Sequence, residues 1–239
     1  VSAAHLVLLR HGESVWNSGD RFAGWVDVPL TADGVRRAAD VGKSLADAGL
    51  VPTAVHTSQL QRAMDTAAEV IGATGADPAI RRSWRLNERH YGAWQGRRRE
   101  DVLAEVGKEC FSEVRRGWSA RPPASAEPGS TGVHPELRRP GTAADSAGEY
   151  SELRRPGITG ESLSDVWDRL APYWHETISA DLTPGAVVLV VAHGNSLRPL
   201  VKHLDGLGES EIGSLELAVG LPRIYRVEQG DASSTLIER

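Results

Sequence analysis

A single cysteine, Cys110, excludes an intrachain disulfide and fits a reducing compartment. No apolar run approaches the ~20 residues that cross a bilayer, so no membrane partner is expected. The N-terminal stretch lacks the basic region and the length of a signal peptide, so a cytoplasmic protein is expected. No dinucleotide fingerprint or Walker-type glycine loop is present. The histidines, at 5, 11, 56, 90, 134, 175, 193 and 203, lack ligand spacing with cysteines, so no metal is expected. Excess positive charge is missing too: the formal net charge of -5 argues against nucleic-acid partners.

What is there is a chain of 239 residues, 40% hydrophobic and 25% charged, enough for a sizeable α/β core. Leu6 to Leu9 is a short apolar run closed by Arg10-His11-Gly12, which reads as a buried strand ending in a turn. The pattern returns far downstream, where Ala186 to Ala192 ends in His193-Gly194-Asn195-Ser196. Between them, Thr31 caps an expected helix running to Leu50, with Gly49 ending it, and residues 53–58 form a short strand. Ser58 is placed as the cap of a second helix, whose apolar face carries Leu60, Ala63, Met64, Ala67, Ala68 and Ile71. Ala79 to Leu86 is expected to be a strand, followed by a loop from Asn87 to Gly96 and helices to Val106 and from Glu109 to Gly117. Ser162 to Ile178 has helical spacing, with a kink expected at Pro172. A helix over Ser196 to Leu204 holds Pro199 in its first turn, and a short helix is expected near Glu209 to Leu215. Arg223 to Val227 reads as a last strand, and the final dozen residues look loose. Strands alternating with helices imply an α/β fold: one domain over 1–239, a three-layer α/β/α sandwich with a mostly parallel central sheet.

Residues 121–160 interrupt that pattern. They are rich in Pro, Gly, Ala, Ser and Arg, and Glu136-Leu137-Arg138-Arg139-Pro140-Gly141 returns as Glu152-Leu153-Arg154-Arg155-Pro156-Gly157. An insert of this length is a lid, a partner surface or disordered, and partial disorder is expected. The repeated basic hexapeptide would either reach an anionic substrate or lie solvated.

In open α/β sheets a ligand is met beyond the carboxyl ends of the strands, which is where Arg10, His11 and His193 fall. An arginine fork suits phosphate, a neutral imidazole nitrogen can attack phosphorus, and Gly12 lets the backbone come close. A lone histidine is more often structural. Two buried strands each ending in His-Gly point instead to two imidazoles facing one site.

Four features ask for one explanation: Arg10-His11-Gly12, Arg62 on the second helix, Glu88-Arg89-His90-Tyr91, and His193-Gly194-Asn195. Around them stand LVLLRHGESVWN at 6–17, FAGWVDVPLTADG at 22–34, TSQLQRAMDTA at 57–67, LNERHYGAWQG at 86–96, Arg115-Arg116 and VVAHGNSLRPLVKHLDG at 190–206. In these stretches the chain resembles the histidine phosphatase superfamily, and within it the cofactor-dependent (2,3-bisphosphoglycerate-primed) phosphoglycerate mutases. The resemblance runs from about Leu6 to Tyr225, outside 121–160.

The resemblance implies that His11 carries the phosphoryl group, that Arg10, Arg62 and His193 surround it, and that Glu88 is the general acid/base. It implies substrate contacts from Asn17, Ala23, Gly24, Arg89, Tyr91, Arg99, Arg115, Arg116, Gly194 and Asn195. It also implies 2,3-bisphosphoglycerate as primer without a metal, a small phosphorylated acid as substrate, and a homo-oligomer, dimer or tetramer. Trp16, Trp25, Trp94 and His90 are expected to pack, and Cys110 to be an inert helix residue. The family usually has a lysine where Arg99 stands and often a hydroxyl or thiol residue at Ala23, and 121–160 differs from the segment that helps close its site. Closure excludes water, which separates a mutase from a phosphatase. Three readings follow: a phosphoglycerate mutase, a phosphatase of a small phosphorylated acid or sugar, and a silent binding protein. The last is weakest, because every catalytic position is intact.

Overall fold

Successive side chains of a strand point to opposite faces, so an unbroken apolar run needs cover on both. The first strand, β1 (Ala4–Arg10), obeys this in the computed structural model, which describes residues 2–126, 157–228 and the backbone of 235–237. Leu6 and Leu8 join one core cluster and Val7 and Leu9 another. The remaining strands are β2 (Ala54–Thr57), β3 (Ala79–Arg82), β4 (Val187–Ala192), β5 (Arg223–Val227) and β6 (Thr235–Ile237). They form one six-stranded sheet in the order β3-β2-β4-β1-β5-β6. The first four in that order are parallel, β5 runs antiparallel to β1, and β6 reverses again by pairing antiparallel with β5.

The helices α2 (Ala32–Asp47) and α3 (Gln61–Thr74) cover one face through Val41, Leu45, Ala63, Ala67 and Val70. The other face is covered by α6 (Leu163–Tyr173) and α7 (Gly194–Asp205), through Leu170, Leu197, Leu200 and Val201. The expected three layers are therefore present. A smaller cluster of Phe22, Tyr91, Trp94, Val102 and Val114 seats α4 (Arg99–Val106) and α5 (Lys108–Arg116) beside the site. A single-turn helix, α1 (Val15–Ser18), follows β1. The expected packing residues Trp16, Trp25, Trp94 and His90 are all buried, and Cys110 is exposed on α5. Among the described residues no helix is long and apolar enough to cross a membrane.

Several expectations need correction. The strand from Ala79 stops at Arg82, because the Ser83 hydroxyl accepts the Arg85 N–H and starts a 3-10 turn over Trp84–Leu86. Ser58 does not cap α3; the free N–H of Gln61 is met by the Asp27 carboxylate at 2.7 Å. The last long helix begins at Gly194, not Ser196, because Ser196 Oγ accepts the N–H of His193, which sits extended at the cap. Pro199 is thus the sixth residue of α7, beyond the first turn, where its missing N–H leaves the Asn195 carbonyl without its helical donor. Glu209 to Leu215 is a chain of i to i+3 turns rather than a helix, with the Glu211 carboxylate drawn back to the Gly208 N–H. The tail is not wholly loose: β6 pairs with β5. After Pro172 the chain winds wider, as a π-helix over Trp174–Ile178.

The ends of the 121–160 insert are pinned beside the 90–93 loop, by Ala93 N–H to Pro123 carbonyl at 2.9 Å and Glu161 N–H to His90 carbonyl at 2.9 Å. Apart from Gly157, the last residue of the repeat, the expected partial disorder and the repeated hexapeptide fall on 127–156 and so lie outside the described residues.

Candidate active site

Because β1 and β4 pair in register up to Arg10 and Ala192, the residues that follow leave the sheet side by side. The His11 N–H extends the ladder to the Ala192 carbonyl at 2.9 Å. The rings of His11 and His193 are buried with centroids 4.9 Å apart. His11 Nδ1 lies 2.7 Å from the Gly12 carbonyl, which can only accept. The proton therefore sits on Nδ1, and Nε2 keeps its lone pair. Burial, then the charges of Arg62 and Arg10, hold the His11 pKa well below 6.5, so the ring is neutral at pH 7. His193 is shifted the same way by burial, then by Arg62 and His11. Its Nε2 lies 2.7 Å from Ser58 Oγ, at the end of β2, the other neighbour of β4. Three adjacent strand ends thus supply Ser58, His193 and His11.

The turn after β1 needs glycine. A Cβ on Gly12 would lie 2.7 Å from the Gly34 carbonyl oxygen, and one on Gly34 would lie 2.3 Å from the Glu13 carbonyl oxygen. The histidine loop and the first turn of α2 thus meet backbone to backbone.

Arginines come from several elements. Arg62, on α3, donates to the Val26 and Gly24 carbonyls at 2.9 and 2.8 Å, and its burial lowers its pKa to about 10. Arg10 donates Nη1 to the Leu217 carbonyl at 3.0 Å. Buried Arg10 Nε, Arg99 Nε and Arg116 Nη1 have no hydrogen-bond partner among the described residues. An unpaired buried guanidinium N–H is costly, so these donors suit an anionic ligand.

Glu88 faces them. Its Oε1 accepts the N–H groups of Arg89 at 2.8 Å and of Asn195, in the first turn of α7, at 3.2 Å. Its carbonyl accepts the Trp25 indole N–H at 2.5 Å and Arg169 Nη2 at 3.0 Å. Arg169 is a hub: it also donates to the carbonyls of Trp84, Arg85 and Asn87 and to both oxygens of buried Glu161. Glu161 in turn accepts the His90 N–H at 2.8 Å.

Of the residues singled out in the sequence, Arg10, His11, Asn17, Ala23, Gly24, Arg62, Glu88, Tyr91, Arg99, Arg115, Arg116, Gly194 and Asn195 line one cleft of about 170 Å3. Fully buried His193 stands against His11 instead of on the cleft surface. Arg89 is not on the cleft wall either. Its guanidinium donates to the Val114 and Arg115 carbonyls, 2.7 and 3.3 Å away at the end of α5, and lies over the Tyr91 ring. It holds the helix end that presents Arg115 and Arg116. Asn17 lines the cleft with its Oδ1 committed to the Ser14 N–H and hydroxyl.

Sequence reasoning missed Arg21, Phe22, Arg198, Glu216 and Leu217 in the same cleft. Arg198 had a signal, being one turn beyond Asn195 on the same helix, and its Nη1 donates to Asn195 Oδ1 at 2.8 Å. Glu216 and Leu217 had none. Among the described residues no group of His, Cys, Asp and Glu could hold a metal ion.

Comparison with known proteins fixes the class first. The model of the histidine phosphatase superfamily (branch 1) matches residues 6–134 and 129–238, and the paired strand-end histidines agree with it. Relatives matched over most of their length then narrow it. A protein of Clavibacter sepedonicus named 2,3-bisphosphoglycerate-dependent phosphoglycerate mutase is 43% identical over 225 residues, 94% of this chain and 85% of that one. A protein of the same name from Rhodococcus opacus is 44% identical over 231 residues, 96% and 87% of the two chains. The chain belongs to the 2,3-bisphosphoglycerate-dependent phosphoglycerate mutase family. Among solved structures, Bacillus stearothermophilus YhfR is 26% identical with a TM-score of 0.70, covering 98% of this chain and 95% of that one. A mycobacterial glucosyl-3-phosphoglycerate phosphatase, 24% identical with a TM-score of 0.69 over 92% of each chain, shares the fold.

Proposed function

We propose that the chain interconverts 3-phosphoglycerate and 2-phosphoglycerate through a phosphohistidine on His11. The observation that carries this is the His11 ring itself: buried, neutral, and with Nδ1 committed to the Gly12 carbonyl so that Nε2 is the nucleophile. As Nε2 bonds to phosphorus, the phosphorus–oxygen ester bond breaks. Arg10, Arg62 and the N-terminus of α7 compensate charge on the phosphoryl oxygens, and the neutral His193 ring would add a hydrogen bond. The Glu88 carboxyl gives its proton to the departing alkoxide and takes one from the hydroxyl that later receives the phosphoryl group from His11. Arg99, Arg115 and Arg116 would hold the far anion, with Asn17, Ala23, Gly24, Tyr91, Gly194 and Asn195 completing the wall.

2,3-Bisphosphoglycerate supplies the phosphoryl group that first loads His11. The unpaired buried donors of Arg10, Arg99 and Arg116 fit such a doubly anionic primer. A chain of this family would work in the cytoplasm, as a homo-oligomer. The edge strand β3, with Ile80 50% exposed, offers a surface for a second copy.

The test is an isomerase assay with and without bisphosphoglycerate, beside phosphate release and mass spectrometry of the loaded protein. The expected result is bisphosphoglycerate-dependent isomerisation and a phosphate adduct absent from His11→Ala. Steady phosphate release without isomerisation would overturn the reading in favour of a phosphatase.

A further inference from the structure

The cleft of arginines contains one rim carboxylate that the proposed chemistry does not use. Glu216 accepts from Arg116 Nη2 at 2.8 Å, while Arg116 Nη1 is buried without a partner among the described residues. A guanidinium grips a carboxylate best with two parallel N–H donors, and here one edge of that fork is already taken. The backbone on either side of Glu216 is pinned by cleft arginines: Arg198 Nε donates to the Leu215 carbonyl at 3.0 Å and Arg10 Nη1 to the Leu217 carbonyl at 3.0 Å. The Glu216 side chain itself is 75% exposed, so it can swing away without disturbing the core. Its carboxyl sits below the usual range, first through the Arg116 hydrogen bond and charge, then through Arg198 and Arg10, so it is ionised wherever the cleft would meet an anion.

We propose that Glu216 is a specificity-determining residue: a built-in carboxylate that occupies half of the Arg116 fork and must be displaced by the far anion of the substrate. This rests on the reading that the cleft binds phosphoglycerate. It sets a threshold for ligands with two anionic ends and leaves those with a single phosphate untouched. The chain thereby gives up affinity and gains faster release of doubly anionic ligands.

The experiment compares wild type with Glu216→Gln, which keeps the shape and removes the charge, in binding 3-phosphoglycerate and glycerol 3-phosphate, whose far end is neutral. The expected result is a roughly two- to fivefold tighter dissociation constant for 3-phosphoglycerate at low salt, the range an exposed ion pair permits, shrinking as salt rises. Glycerol 3-phosphate binding should change by less than half as much. Equal effects on both ligands would mean a general field rather than competition at Arg116, and would overturn the inference. So would an unchanged 3-phosphoglycerate affinity in a variant that still isomerises, and that result would leave the proposed function standing. Failure of both proteins to bind 3-phosphoglycerate would overturn the two together.

Discussion

Replacing Arg169 with methionine tests whether the buried hub holds the acid/base loop. The guanidinium and the Glu161 carboxylate are 6% and 4% exposed, and their Nε–Oε1 distance is 2.7 Å. Arg169→Met removes six hydrogen bonds and leaves the buried Glu161 carboxylate without its cationic partner. Breaking a buried pair in this way costs about 3–5 kcal/mol, because the partner charge is left uncompensated. The Glu88 carbonyl keeps the Trp25 indole N–H, but the Asn87 and Arg85 carbonyls lose this donor, so the upper half of that range is expected. The assay is urea unfolding of wild type, Arg169→Met, Glu161→Gln and the double variant. The double variant should be more stable than the sum of the singles predicts, by at least about 2 kcal/mol, since it no longer buries a lone charge. Turnover per folded molecule should also fall in Arg169→Met, because the same guanidinium anchors the Glu88 backbone. A loss below about 1 kcal/mol, or strictly additive variants, would refute the hub.

Protonation gives a second prediction. His11 and His193 have lowered pKa values when folded, so below about pH 6.5 the unfolded chain binds more protons and stability falls as pH falls. Their contribution is full above that pH, and the His11→Asn/His193→Asn variant should lose less stability than wild type between pH 7 and 5 in thermal melts. Gly34→Ala would press a methyl against the Glu13 carbonyl oxygen, which the backbone cannot yield cheaply, so a loss of about 1–3 kcal/mol is expected by chemical denaturation. Arg89→Met frees the end of α5 and should raise KM for phosphoglycerate about tenfold while kcat falls less, checked by steady-state kinetics.

The central sheet was legible because its strands announce themselves: β1 and β4 are apolar on both faces, and each stops at a histidine and a glycine. Several residues that sequence misplaced are governed by distant partners. Ser58 stands where a helix cap belongs by local rules, yet its hydroxyl serves a ring 135 residues away, and Asp27 caps α3 from a loop. Arg169 lies in an ordinary amphipathic helix, and its partners at 84–88 have no local relation to it. Pro199 is different: the bond that moves the helix start back from Ser196 to Gly194 is local, from the His193 N–H to Ser196 Oγ, but apolar periodicity does not register it. Arg89 carries a charge that invites a ligand, and only the packing reveals that it serves two carbonyls.

The 4.9 Å between the two imidazoles matches the ~4.8 Å by which neighbouring strands are spaced in any sheet. The rings follow strand ends that the ladder sets side by side. The pairing of β1 with β4, rather than any surface segment, sets the two histidines next to each other. Moving the pair to another scaffold would take two adjoining parallel strands, each followed by histidine and glycine, together with the burial and the Arg62 and Arg10 charges that keep His11 neutral.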